Sequence, residues 1–264
     1  MLQVDNLKVA YNGAAVINGV SLHINYDESV ALIGPNGAGK TTIGRAIAGL
    51  VPYQGQIQLM MSGGTTSLKH LAAWAIARSG IVYISESTSI YESLSVADNL
   101  LVACAVLSTA RAAKSVMLTN LYAHFPFLRD RSEQRAGTLS GGQKKLLAIA
   151  RGLFLIQCLK TLSLEHPGSV GAPLFPLLIL DEPSHGLSPQ ALDTVRQALR
   201  DLNVAFLLIE QMARFALNIC RRAYVLRNGV VVMSDFSEAV CENALLRSYL
   251  GLSADRASTL WTKS

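Results

Sequence analysis

The segment Gly34-Pro35-Asn36-Gly37-Ala38-Gly39-Lys40-Thr41-Thr42 constrains the fold of this chain more than any other. It fits the pattern G-x-x-x-x-G-K-[ST] across residues 34–41. The apolar run Val30-Ala31-Leu32-Ile33 precedes it and reads as a buried strand. Ile43, Ala46, Ile47 and Leu50 follow at helical spacing. Glycines let the backbone curl so that successive N–H groups face phosphate oxygens. The helix N-terminus adds partial positive charge. In such a loop Lys40 reaches the β- and γ-phosphates, and the Thr41 hydroxyl holds Mg²⁺. The pattern therefore implies a nucleoside triphosphate site.

Two further strings extend the chemistry. Leu178-Ile179-Leu180-Asp181-Glu182-Pro183 carries a carboxylate to the end of an apolar strand. There Asp181 can reach a metal, and Glu182 can polarise an attacking water as general base. Leu139-Ser140-Gly141-Gly142-Gln143 opens a helix whose core stripe is Leu146, Ile149, Ala150 and Leu153. Ser140 is a good N-cap. Two glycines in a first turn cost helix propensity, yet they let phosphate approach the backbone.

With these three strings in this order, the chain resembles the nucleotide-binding subunit of an ABC transporter from about Leu2 to Gly251. The resemblance implies an α/β P-loop NTPase with a RecA-like core, an N-terminal antiparallel β layer and a helical signature lobe. It implies head-to-tail pairing, so that Ser140, Gly141, Gly142 and Gln143 serve an ATP held by the partner. Tyr11 lies where the family stacks an aromatic on adenine. Ser184-His185-Gly186-Leu187 lies in the loop that touches the partner.

A closer resemblance rests on Val20-Ser21-Leu22-His23-Ile24-Asn25, Phe125-Pro126-Phe127-Leu128, Gln134-Arg135-Ala136-Gly137-Thr138, Ile209-Glu210-Gln211 and Tyr249-Leu250-Gly251. Together these are similar to the smaller ATPase subunit of branched-chain amino-acid importers, whose relatives serve urea, amides and other small solutes. Two positions depart from the wider family. Glu86 stands in place of a glutamine and can accept but not donate, as a ligand of Mg²⁺ or water. Gln211 stands in place of a histidine; it can hydrogen-bond a γ-phosphate but cannot carry a proton.

The resemblance also sets an organisation. One nucleotide-binding domain covers 1–251, with a helical lobe at about 87–155 and a tail at 252–264. Residues 158–176 are an insertion read as surface loop, with His166-Pro167-Gly168-Ser169 and Gly171-Ala172-Pro173 as its punctuation. Short strands are expected over 2–33, parallel-type strands at 30–33, 81–84, 177–180 and 204–209, and helices at 94–107, 114–124 and 237–250. Ser188-Pro189 starts another helix, and Arg227-Asn228-Gly229-Val230 is a hairpin turn.

Bulk properties narrow the function classes. No apolar run in the 264 residues approaches the roughly 20 that a membrane helix needs. Cys104, Cys158, Cys220 and Cys241 are scattered, with neither zinc nor disulfide spacing. A net charge of +5 does not argue for nucleic acid. Lys144, Lys145 and Arg151 are expected on a solvated helix face. The expected role is the energy module of an importer, peripheral on the cytoplasmic face of the cell membrane. Its partners are transmembrane permease subunits near 87–99, a second ABC ATPase subunit (a heterodimer favoured, a homodimer possible) and, indirectly, a solute-binding protein. The alternatives are a soluble ABC ATPase acting on nucleic acid and a regulatory cassette with weak hydrolysis.

Overall fold

The computed structural model describes residues 1–61, 63–85, 87, 90–105, 111–165 and 175–243. In chain order its elements are β1 (Leu2–Tyr11), β2 (Ala14–Ile24), β3 (Ser29–Ile33), α1 (Lys40–Ile47), β4 (Gln54–Met61), β5 (Gly64–Ser67), α2 (Ala73–Arg78) and β6 (Ile81–Ile84). Then come α3 (Val96–Val102), α4 (Arg111–His124), α5 (Pro126–Asp130), α6 (Gly141–Glu165), β7 (Leu177–Asp181) and α7 (Pro189–Arg200). The chain closes with β8 (Ala205–Glu210), α8 (Ala213–Leu217), β9 (Arg222–Arg227), β10 (Val230–Phe236) and α9 (Ser237–Glu242). They fall into two compact units, Met1–Leu71 with Phe206–Ser264, and Ala72–Ala205.

The first unit holds two sheets. In the antiparallel one, β1 lies between β2 and β4, and β4 pairs on with β5. Strands over 2–33 were expected to be short; β1 and β2 instead run 10 and 11 residues. Their length is accommodated by register shifts, one of which leaves Val16 without a partner on β1. Such a bulge bends the ribbon and re-aims local groups. The Asn12-Gly13 turn between them has φ of 49° and 84°, the left-handed pair of a type I′ hairpin. In the other sheet β3 pairs in parallel with β8 and β9, and β9 pairs antiparallel with β10. Val30, Ala31, Leu32 and Ile33 are fully buried, as expected for a strand covered on both faces. The 227–230 hairpin is present, with Asn228 and Gly229 at φ 48° and 76°.

The second unit is built around α6. This helix packs on β6 and β7 and touches α3, α4 and α7. Leu147, Ile149, Ala150, Phe154 and Ile156 are at most 1% exposed; a helix apolar nearly all round is a buried one. Strands β6 and β7 pair in parallel in the register Ile81 with Leu177 through Ile84 with Leu180. Ser188 caps α7 by accepting from the Ala191 N–H, with Pro189 in the first turn. Helix α3 covers Val96–Val102 of the expected 94–107, of which residues 106–107 lie outside the described residues.

The expected loop at 158–176 requires a correction. Residues 158–165 continue α6 as helix, because Cys158, Leu159 and Leu162 still fall on a buried face and the breakers Pro167 and Gly168 come later. Residues 166–174, and the expected helix beyond residue 243, lie outside the described residues.

Candidate nucleotide site

Each unit contributes its own set of groups. In the first, β3 delivers the chain to the loop at residue 34. Gly34 sits so close to β9 that a Cβ there would meet the Leu226 carbonyl oxygen at 2.3 Å. Gly39, the N-cap of α1, has φ 101°, and a Cβ would meet Ile17 at 2.5 Å. Only glycine fits either place. The loop closes on itself through Ala38 N–H to Pro35 O (3.2 Å). The 227–230 hairpin buttresses it: Gly229 N–H donates to Ala38 O, and Asn18 N–H to Gly229 O.

Pro35, Asn36 and Gly37 are exposed, whereas Ala38, Lys40 and Thr42 are buried. Lys40 is 4% exposed and its Nζ donates to Pro35 O at 3.1 Å. An ammonium folded over the loop crest is positioned for anions arriving at the backbone. Thr41 lies beside it in the first turn of α1. Tyr11 is 40% exposed and pairs with Ala14 at the hairpin tip. The unpaired Val16 of the same hairpin lies against Gly39, its carbonyl oxygen 3.3 Å from the Cβ position. An exposed aromatic and the phosphate loop thus belong to one corner of this unit. Gln211 follows β8 and is exposed; Glu210 before it is buried.

In the second unit, all five residues of β7 are buried. Asp181 at its end is 2% exposed, and its Oδ2 accepts from the Tyr83 hydroxyl at 2.7 Å. Glu182 has φ 50°, a left-handed backbone in a non-glycine residue. Such strain concentrates at functional sites. The turn closes with His185 N–H to Glu182 O and Leu187 N–H to Ser184 O, both 3.2 Å. Ser140 and Gln143 form a reciprocal capping box: Gln143 N–H donates to Ser140 Oγ, and Ser140 N–H to Gln143 Oε1. A Cβ on Gly141 would meet nothing within 4 Å, so another group can approach that backbone.

The solvated-face expectation for Lys144, Lys145 and Arg151 is overturned. Lys145 is 9% exposed, and its Nζ donates to the carbonyls of Glu182 and His185, each at 2.7 Å. Lys144 pairs with Glu92 at 2.7 Å. Arg151 lies 5.4 Å over the Tyr91 ring, and burial pulls its guanidinium below its usual value. Tyr83 and Lys145 were not among the sequence-derived candidates. Glu86 lies outside the described residues.

The family model described as ABC transporter matches residues 17–161. The chain belongs to the ABC transporter ATPases. Members of this family bind and hydrolyse ATP and work with transmembrane permease subunits. A full-length relative is the high-affinity branched-chain amino acid transport ATP-binding protein BraG of Pseudomonas aeruginosa, 34% identical over 95% of this chain and all of that protein. The lipopolysaccharide export system ATP-binding protein LptB of Escherichia coli K12 is 32% identical, over 95% of this chain and 97% of its own length. Among solved structures, an ATP-binding subunit of an ABC transporter superposes with TM-score 0.73 and 25% identity, over 96% of this chain and 95% of that one. A nucleotide-free cassette of an ABC transporter gives TM-score 0.70 at 22% identity, over 93% and 94%. The α/β cassette fold expected from the sequence is therefore the fold of the molecule.

Proposed function

We propose that this cassette energises an importer of branched-chain amino acids or a related small solute such as urea or an amide. One observation supports the importer reading: BraG, at 34% identity, matches over 95% of this chain and over its own full length. LptB, at 32% identity, favours a second reading, an ATPase for lipid export. The nucleic-acid alternative has no support among these relatives.

The roles follow the groups. The loop of Gly34, Pro35, Asn36, Gly37, Ala38 and Gly39, with Lys40, Thr41 and Thr42, takes the phosphates. Tyr11 stacks on the base. Ser140, Gly141, Gly142 and Gln143 face the nucleotide of a second ABC ATPase subunit, with a sister subunit favoured over a second copy. Thr41, Asp181 and Glu86 each carry an oxygen donor of the kind that suits a hard cation. Mg²⁺ held there would neutralise charge on the phosphates. Glu182 accepts a proton from the attacking water, and Gln211 orients the γ-phosphate by hydrogen bonding. The proposed domain spans 1–251, with a helical lobe at about 87–155 and a tail beyond it. Among the described residues no helix is long and apolar enough to cross a membrane, and the proposed location is peripheral, on the cytoplasmic face.

Co-purification of tagged protein from detergent-solubilised native membranes tests this reading. Two multi-spanning permeases, a second ABC ATPase and a solute-binding protein whose ligand is a branched-chain amino acid are expected. Permeases that travel with bound lipopolysaccharide favour the second reading. Recovery of the chain alone from the soluble fraction refutes both.

A further inference from the structure

We infer that Lys145 is a positioning residue for Glu182, holding the turn that follows β7 from the first turns of the signature helix. This rests on the assignment of Glu182 as general base. A lysine ammonium has three donors and no acceptor. Two of the Lys145 donors go to main-chain oxygens of a single turn, Glu182 O and His185 O, each at 2.7 Å. Those carbonyls belong to residues three apart, and the same Glu182 oxygen also accepts the His185 N–H that closes the turn. Charge-assisted bonds of this length are the strong ones, and the 9% exposure of Lys145 keeps water from competing.

The clamp falls where the backbone needs one. Glu182 is held at φ 50°, a conformation that side chains other than glycine adopt only when their surroundings over-determine it. Two forces fix the residue from either side. Upstream, Asp181 is buried and tied to Tyr83. Downstream, the carbonyl of Glu182 is pinned by Lys145. Glu182 between them is half-buried, and its backbone is held on both sides. Lys145 also lines a small cleft with Asp181, Ser85 and Pro183. Gly142, three residues earlier on α6, stands 3.8 Å (from its Cβ position) from the Gly186 carbonyl. The signature helix and the glutamate turn are therefore neighbours within this unit, linked by the Lys145 hydrogen bonds.

The test is kinetic and uses the membrane complex recovered with the tagged chain. K145M keeps the length of the side chain and removes its donors. Loosening the base is expected to lower kcat about 10²-fold, with KM for ATP within about twofold of wild type. K145Q, which retains a donor, is expected to fall between the two. Because Lys145 acts through Glu182, K145M should cost nothing further on the E182Q background. Hydrogen–deuterium exchange of the peptide over 182–187 should quicken in K145M, whatever the activity. A K145M kcat equal to wild type, a full additive loss on E182Q, or unchanged exchange overturns the inference. Should K145M fail to fold, K145Q decides: lowered kcat at unchanged KM supports the clamp, and loss of nucleotide affinity overturns it. E182Q alone addresses the underlying reading: wild-type turnover there removes Glu182 as the base, while the exchange data still decide whether Lys145 holds the turn.

Discussion

At the scale of single residues, the proposed chemistry depends on two carboxylates with different surroundings. Asp181 is buried and hydrogen-bonded, while Glu182 is half-buried on a strained backbone. Replacing Glu182 by Gln keeps shape and removes the proposed base, so ATP hydrolysis is expected to fall by about 10² or more while ATP still binds; a steady-state ATPase assay with a nucleotide-binding titration checks it. Tyr83→Phe removes the donor that orients Asp181. The Mg²⁺ concentration for half-maximal activity should rise about tenfold, without a change in fold. The Gly-rich loop and Asp181-Glu182 were legible because their chemistry requires fixed spacing along the chain. Lys145 was not, because a lysine on a helix ordinarily keeps its head in water. The available signal was its spacing of four from Ile149, which places it on the buried stripe. Tyr83 was missed for a related reason: its partner is 98 residues away, and no local pattern encodes that meeting.

Between elements, stability and site geometry share the same contacts. Gly34 follows β3 and lies against the Leu226 carbonyl of β9. Gly34→Ala forces backbone apart and is expected to cost about 1–3 kcal/mol together with nucleotide affinity, measurable by thermal melting with and without ATP. A second junction lies at the other end of β3. Glu28 accepts from the Arg222 Nε at 2.7 Å, and Arg222 also donates to His23 O and Tyr224 Oη. Burial alone would raise the Glu28 carboxyl, but the Arg222 and Asn25 bonds outweigh it and hold the group below its ordinary value. A carboxylate depressed in the folded state contributes stability above its unfolded pKa of about 4.3 and loses it as pH falls through the folded value. Urea melts should therefore show wild type weakening below about pH 4, with Glu28→Gln less stable at neutral pH and flatter across that range. Strand positions were readable from short apolar runs, since burial on both faces leaves that mark. The length of α6 was not. Its last turns carry the same helix formers as the rest, and an expectation of extra loop length displaced what residues 158–165 themselves favour.

For the whole molecule, the role proposed for the signature segment requires a second subunit. Its capping box satisfies Ser140 and Gln143 locally, while Gly141 offers open backbone at the helix start. A helix N-terminus of this kind favours an anion; under the proposed function that anion is the phosphate of a nucleotide held by another copy or a sister. Blocking hydrolysis should make that encounter last, because the bound ATP then bridges the two. The Glu182→Gln variant with Mg-ATP is thus expected to form a long-lived dimer with the second ATPase of its complex and to remain near 28.3 kDa by light scattering when alone. Ser140→Arg, which fills the approach to the glycine backbone, should abolish pairing without unfolding the chain. Doubling of mass with ATP and no partner would instead make the working assembly a homodimer. A chain that stays monomeric with partner, ATP and blocked hydrolysis would remove the signature segment from nucleotide binding altogether.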